Sequence, residues 1–395
     1  MFENVEPTPL DPIIRLIGIY NADPRDNKID MGVGVFRDAN GTTPVMAAVK
    51  EAEQRLHDTQ TTKAYVGLSG DELFNTHITR LVFGPEADNN RIRAVQAPGG
   101  CGALRILSDM LSQVAGDSTV WLTDPTWGNH YPIFRGSGFA TDAYPYLDRE
   151  TKTADIDRLM DALSKRGPGD IVVFHACCHN PSGAELGPGD WDAIAKMAAK
   201  NGFFPFFDMA YQGFGDSLDE DAYSIRAMAR EVESLVVASS CSKNFGLYRD
   251  RVGCALILGE NSDSADSARA QLLSTARSSY SMPPDHGAAI VGMILDNAPL
   301  REIWEGELAD MRDRILGLRR QMSDRLRNGT GDGRWDFIAD HRGMFSLLVL
   351  NDDQVGTLRS DYGIYVVAGG RINIAGLRDD EEMDRFVDAL VTVTG

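Results

Sequence analysis

The chain has 395 residues, too many for one small core and suited to one large domain with a smaller companion. Hydrophobic residues make up 43% and charged residues 25%, the balance of a protein that folds around a core in water. With 39 basic against 58 acidic side chains the formal net charge is −19, which argues against nucleic acid or an anionic membrane as partner, so that any anionic substrate must be met by locally placed arginines.

The first residues, Met1-Phe2-Glu3-Asn4-Val5-Glu6, are acidic and carry no apolar run, so no signal peptide is expected. No stretch is apolar over a length that would span a bilayer. The five cysteines (Cys101, Cys177, Cys178, Cys241, Cys254) show no disulfide-framework spacing, and neither CxxC nor HExxH occurs. Cys177-Cys178 lies in an apolar run and reads as buried thiol rather than as a metal site. A reducing cytoplasm and no metal are the expectation.

Residues 11–22 have the period of an amphipathic helix. Gly32-Val33-Gly34-Val35-Phe36 reads as a short strand, turning at Asp38-Ala39-Asn40-Gly41. Gly99-Gly100-Cys101-Gly102 is a glycine turn opening a helix, where free N–H groups and the helix dipole suit a phosphate. It lacks the third glycine of a GxGxxG fingerprint, and a plain helix-initiating turn reads equally well. Apolar strands are predicted over 119–123, 171–175, 203–208, 235–239 and 254–258, separated by helical patterns. Continuously apolar strands in that setting indicate a parallel sheet covered on both faces, with its active site past the carboxyl ends of the strands. That rule singles out Trp127, Asn180, Asp208 and Lys243.

Each has a bland reading beside the functional one. Asp124-Pro125-Thr126-Trp127 is a turn whose tryptophan is either core or a stacking platform. His179-Asn180-Pro181-Ser182-Gly183 is a turn that also aims Asn180 at a ligand. Asp208, ending the run Phe206-Phe207, either caps a helix or partners a buried cation. A pyridinium nitrogen fits the second role, because each pKa unit the carboxylate adds to it is about 1.4 kcal/mol. Lys243 follows the apolar run Leu235-Val236-Val237-Ala238, with Ser240 and Ser242 before it and Arg251 after it. A desolvated lysine can act as nucleophile or base, and hydroxyls with an arginine suit a phosphate. A nucleophilic lysine beside a phosphate cradle is what pyridoxal phosphate needs.

A charge-rich helix is predicted over about 300–327, followed by strands over 335–339, 344–350, 364–367 and 371–374 and a terminal helix, an α+β pattern. Arg371, inside an alternating strand, either pairs with a structural carboxylate or clamps a substrate carboxylate with two prongs.

Taken together, Ser240-Cys241-Ser242-Lys243-Asn244-Phe245-Gly246-Leu247-Tyr248, Cys177-Cys178-His179-Asn180-Pro181-Ser182-Gly183 and Asp208-Met209-Ala210-Tyr211-Gln212-Gly213-Phe214 resemble the class I aminotransferases, the aspartate and aromatic amino acid aminotransferase family. The resemblance runs from Gly32-Val33-Gly34-Val35 to Arg371 with motif order kept. It implies an α/β fold, the type I pyridoxal-phosphate-dependent transferase fold. A large domain over residues 45–310, with a mostly parallel sheet sandwiched by helices, would accompany a smaller α+β domain from 1–44 and 311–395. It also implies roles. Lys243 bonds to the cofactor and shuttles the proton; Asp208, supported by His130, pairs with the pyridine nitrogen. Tyr211 and Asn180 bond the phenolic oxygen and Trp127 stacks on the ring. Gly100, Cys101, Ser240, Ser242 and Arg251 line the phosphate, with Tyr65 reaching it from the other subunit of an obligate homodimer. Arg371 clamps the substrate α-carboxylate near Gly34, and Arg277, supplied across the dimer, meets a distal carboxylate.

Two departures matter. Cys101 stands where the phosphate turn of the family carries a hydroxyl, and Ala64 and Met282 stand where aspartate-selective members carry Asn. A less polar pocket favours aromatic side chains while Arg277 keeps the means to bind dicarboxylates. The expected activity is therefore transfer of the amino group between aromatic amino acids or aspartate and 2-oxoglutarate, by ping-pong kinetics. Strict aspartate selectivity and a pyridoxal-phosphate-dependent lyase are the alternatives. A nicotinamide dehydrogenase fits the alternating pattern but lacks its glycine fingerprint.

Overall fold

The computed structural model describes residues 2–6 and 11–395. Its strands are β1 (Ile29–Asp30), β2 (Ile92–Pro98), β3 (Thr119–Asp124), β4 (Ala140–Pro145), β5 (Asp170–His175), β6 (Phe204–Met209), β7 (Leu235–Ser240), β8 (Val252–Leu258), β9 (Phe345–Leu347), β10 (Ile364–Tyr365) and β11 (Arg371–Asn373). Two compact units divide the described residues: one holds 44–314 and 341–343, the other those up to 43 together with 315–340 and 344–395.

The larger unit is built on one sheet of order β2-β8-β7-β6-β5-β3-β4. All its strands run the same way except β8, which is antiparallel to β2 and to β7. The sheet is thus mostly parallel, as expected, with one antiparallel strand. The link from β7 to β8 contains no helix, and a parallel return needs a crossover of about a dozen residues or more, usually helical. Successive side chains point to opposite faces. Val173, Phe206 and Val236 face one apolar cluster with Leu104, Leu107 and Leu272 from helices Gly99–Val114 and Ser262–Ser279. On β5 and β6 the alternate residues Phe174 and Phe207 join Trp191 instead, with ring centroids 5.4 to 6.0 Å apart. Burial on both faces explains why these strands read as unbroken apolar runs.

The smaller unit holds two two-stranded sheets, β1 with β10 in parallel and β9 with β11 antiparallel, among helices Pro12–Ala22, Asp352–Ser360 and Asp380–Thr394. Asp11 caps the first helix by accepting from the N–H groups of Ile13 and Ile14. The strand expected over 32–36 does not form. The Asp30 carboxylate accepts from Gly32 and Val33, and the Asn373 side chain donates to the carbonyls of Val33 and Val35, so side chains take the place of a partner strand. The strand expected over 335–339 is also corrected: residues Phe337–Asp340 are helical. The long helix expected over 300–327 runs Ala298–Thr330 and contributes to both units. No helix among the described residues is long and apolar enough to cross a membrane.

Candidate active site

The carboxyl ends of β3, β5, β6 and β7 carry Trp127, Asn180, Asp208 and Lys243, four of the predicted residues of the larger unit. Asp208 is the fifth residue of β6, buried, and its Oδ2 lies 3.1 Å from Nε2 of the fully buried His130. A carboxylate only accepts, so the ring donates. Burial opposes the charge of Asp208, yet that hydrogen bond and the nearby Lys243 cation hold its carboxyl below the usual range. The group is thus an anion kept ionised inside the protein, which is costly unless it serves a cation.

Behind it stands a row of histidines that the sequence reading did not assign. The Thr126 hydroxyl lies 2.8 Å from His130 Nδ1 and 3.2 Å from His175 Nε2. His175 packs against His179 at 4.3 Å between ring centroids, and His179 stacks on Tyr146 at 3.8 Å. The ring nitrogens of His179 meet Ser182 at 2.7 Å and Thr123 at 3.1 Å. Burial, reinforced by His130, pushes His175 down to about 3, and burial also lowers His179 well below the ordinary histidine value. Both rings are therefore neutral supports at any physiological pH. Their only sequence signal is His175 ending an apolar strand and His179 opening the Asn-Pro-Ser-Gly turn.

Lys243 lies three residues past β7, with Nζ 4.5 Å from the centroid of the Tyr211 ring. Tyr211 and Asn180 are both buried, and Trp127 is half-buried, edge-on to His130 at 5.4 Å. The other end of the site is a hydroxyl and guanidinium cradle. Ser240 Oγ and Ser242 Oγ are 3.2 Å apart, and Arg251 Nη1 donates to Ser242 Oγ at 3.3 Å. These groups lie against the start of helix Gly99–Val114. A Cβ at Gly99 would overlap the Arg251 guanidinium, and one at Gly100 would come within 2.9 Å of the Ser240 Cβ. Both glycines are thus required by close approach, and Gly99 also has a φ of +75° that side chains rarely adopt. Cys101 is exposed and receives a bond from Asn129 Nδ2 at 3.5 Å. Partial desolvation raises its pKa against the pull of Arg251, so it stays a neutral thiol. Cys177 and Cys178 are buried with Asp221, whose oxygens already accept from the N–H groups of Gly213, Gly215 and Asp216.

Tyr65 and Arg277 lie on the surface of this unit. Tyr65 is 88% exposed, and the exposed Arg277 bonds Ser281 at the end of its own helix. In the smaller unit Arg371 is buried on β11; its Nη2 donates to the Gly32 carbonyl at 2.8 Å and its guanidinium lies 4.4 Å from the Phe345 ring centroid. A Cβ at Gly34 would come within 3.0 Å of the same ring, so Phe345, absent from the sequence reading, lies against both Gly34 and Arg371.

The donor set fits pyridoxal phosphate: a lysine for its aldehyde, an ionised buried carboxylate for its ring nitrogen, and a cradle shaped by glycines for its phosphate. The comparisons agree. The profile of the family "aminotransferase class I and II" matches residues 26–390, and the chain belongs to that family. It is 43% identical to an aspartate aminotransferase of Haemophilus influenzae over 96% of this chain and 97% of the relative. It is 44% identical to a tyrosine aminotransferase of Rhizobium meliloti over 96% and 97% of the two chains. Among solved structures, an aromatic-amino-acid aminotransferase from Burkholderia pseudomallei, covalently bound to pyridoxal phosphate, superposes with a TM-score of 0.97 at 37% identity and full coverage of both chains.

Proposed function

We propose that this chain is a broad-specificity aminotransferase. It moves the amino group between aromatic amino acids (tyrosine, phenylalanine, tryptophan) or aspartate and 2-oxoglutarate, with pyridoxal 5′-phosphate as carrier. The observation that carries the reading is the Lys243–Asp208 pair: a lysine and an ionised buried carboxylate at neighbouring strand ends, beside the cradle at Gly99 and Arg251. Relatives of similar identity named for aspartate and for tyrosine support the breadth.

Pyridoxal phosphate, bound there, supplies an aldehyde that takes up the amino group and a ring that withdraws electrons from the substrate Cα. Lys243 would hold the group by its aldehyde carbon, and Nζ is the base placed to take the α-proton of the donor and to return one to the Cα of the acceptor. Asp208 keeps the ring nitrogen protonated, and His130 fixes the direction of that carboxylate. Tyr211 and Asn180 hold the ring's phenolic oxygen and Trp127 covers its face. Ser240, Ser242, Arg251 and the N–H groups at Gly100 and Cys101 hold the phosphate. Arg371 binds the α-carboxylate and so orients Cα–H toward the base. Tyr65 and Arg277, both exposed on their own chain, serve the active site of a partner subunit in a cytoplasmic homodimer.

A donor screen against 2-oxoglutarate tests the reading. Aspartate and the aromatic amino acids should all be used. Lys243→Ala should remove the visible cofactor band and lower turnover by more than the roughly 10²–10⁴-fold of a lost general base. Arg277→Leu should harm aspartate far more than phenylalanine. An intact band with normal rate, or equal losses for the two donors, would overturn the respective assignment.

A further inference from the structure

The groove between helix Glu72–Phe83, the start of β2 and helix Ser262–Ser279 lies outside the residues used above. It encloses about 370 Å³ and is lined by three arginines, Arg80, Arg93 and Arg269, against one acid, Glu72. That balance runs against a chain whose net charge is −19.

The local structure explains how the charges come to face one space. Glu72, Thr76 and Arg80 recur at four-residue spacing on one exposed face of their helix. The floor beneath is closed: Asn75 donates inward to the Ser69 carbonyl at 2.8 Å and Thr79 to the Asn75 carbonyl at 2.8 Å. Arg93 is fixed by Asp266 at 2.6 Å, Ser262 at 3.1 Å and the carbonyls of Asn89, Asn90 and Ile92. Asp266 is held below the usual carboxylate range by that bond, with Arg269 adding its field. The side chains of Arg80 and Arg269 make no ion pair or hydrogen bond among the described residues. Arg80 and Arg269, the latter with only the field of Asp266 beside it, thus bring guanidinium groups with open hydrogen-bonding capacity to one space, the arrangement that suits a shared anion.

We infer that this groove is a binding site for a small polyanion, a phosphate or a polycarboxylate, separate from the site of amino transfer. The planar forks of Arg80 and Arg269 grip its oxygens, and Arg93, immobilised by its own partners, supplies the fixed edge.

Calorimetric titration of the holoenzyme at constant ionic strength tests it, with inorganic phosphate in one arm and citrate in the other, each replacing chloride. Saturable binding is expected, and the tighter arm names the class of ligand. Arg80→Gln and Arg269→Gln should each weaken it at least about tenfold, the order of one charged hydrogen bond, while Arg269→Lys keeps part of it. Melting temperatures show that the variants fold. Their transamination rates should match the parent enzyme, so failure here leaves the proposed activity standing. Heats equal to the chloride control, unweakened binding in both Gln variants, or binding abolished by a saturating aromatic 2-oxo acid would overturn the proposal.

Discussion

The two ends of the proposed cofactor site are built on opposite principles. At the ring end, Asp208, His130, His175 and His179 are all buried, and a charge is maintained there by hydrogen bonds among closely packed rings. At the phosphate end, Arg251 and the exposed Cys101 lie nearer solvent, and the grip depends on backbone N–H groups, hydroxyls and close-packed glycines. A low-dielectric setting makes each fixed charge strong, whereas a wetter one shares the load among several weaker contacts. The ring end should therefore control rate and the phosphate end retention.

The largest test of that contrast is Asp208→Asn. It keeps the shape and removes the charge, so kcat should fall on the order of 10²–10³-fold or more, as when a preorganised electrostatic contact is lost. A modest loss in stopped-flow half-reactions would mean that the buried charge does not govern the chemistry. Next comes the histidine row. His175 is neutral in the fold down to about pH 3 but takes a proton near pH 6.5 once unfolded. The unfolded state binds more protons in that window, so the contribution of His175 to stability falls as pH falls. The difference in unfolding free energy between the parent and His175→Asn should change by about 1.4 kcal/mol per pH unit between those limits. A difference that is flat with pH in denaturant titrations would show that the ring is not held neutral.

At the other end the expected effects are on affinity. Gly99→Ala would push against the Arg251 guanidinium and should weaken cofactor retention on dialysis by roughly tenfold, about 1–2 kcal/mol of strain at a positive φ. Equal retention would show that Arg251 gives way freely. Smallest of all, Cys101→Ser restores a hydroxyl to the turn and should tighten cofactor binding only a few-fold, within the about 0.5–1.5 kcal/mol of one hydrogen bond. A loss of affinity would show that the thiol itself is favoured there.

Strands β3, β5, β6 and β7 were legible because burial on both faces leaves unbroken apolar runs. The edge strands β2 and β4 do not stand out in the sequence, since an edge mixes in polar residues such as Arg93, Gln96, Thr141 and Asp142. Asp208 and Lys243 stood out as lone charges ending apolar runs. Thr126 and His175 did not, because a threonine in a turn and a histidine 49 residues later signal nothing until the strands pair.

By itself the sequence determined the sheet's central strands, the lysine, the carboxylate and the glycine turn, because each depends on neighbours a few residues away. Only the tertiary structure decided the direction of β8, the side-chain bonds that replace a strand over 32–36, the row of neutral histidines under Asp208 and the three arginines around one groove. Those features are set by pairing and desolvation between segments far apart in the chain, and no local pattern encodes which distant partner will arrive.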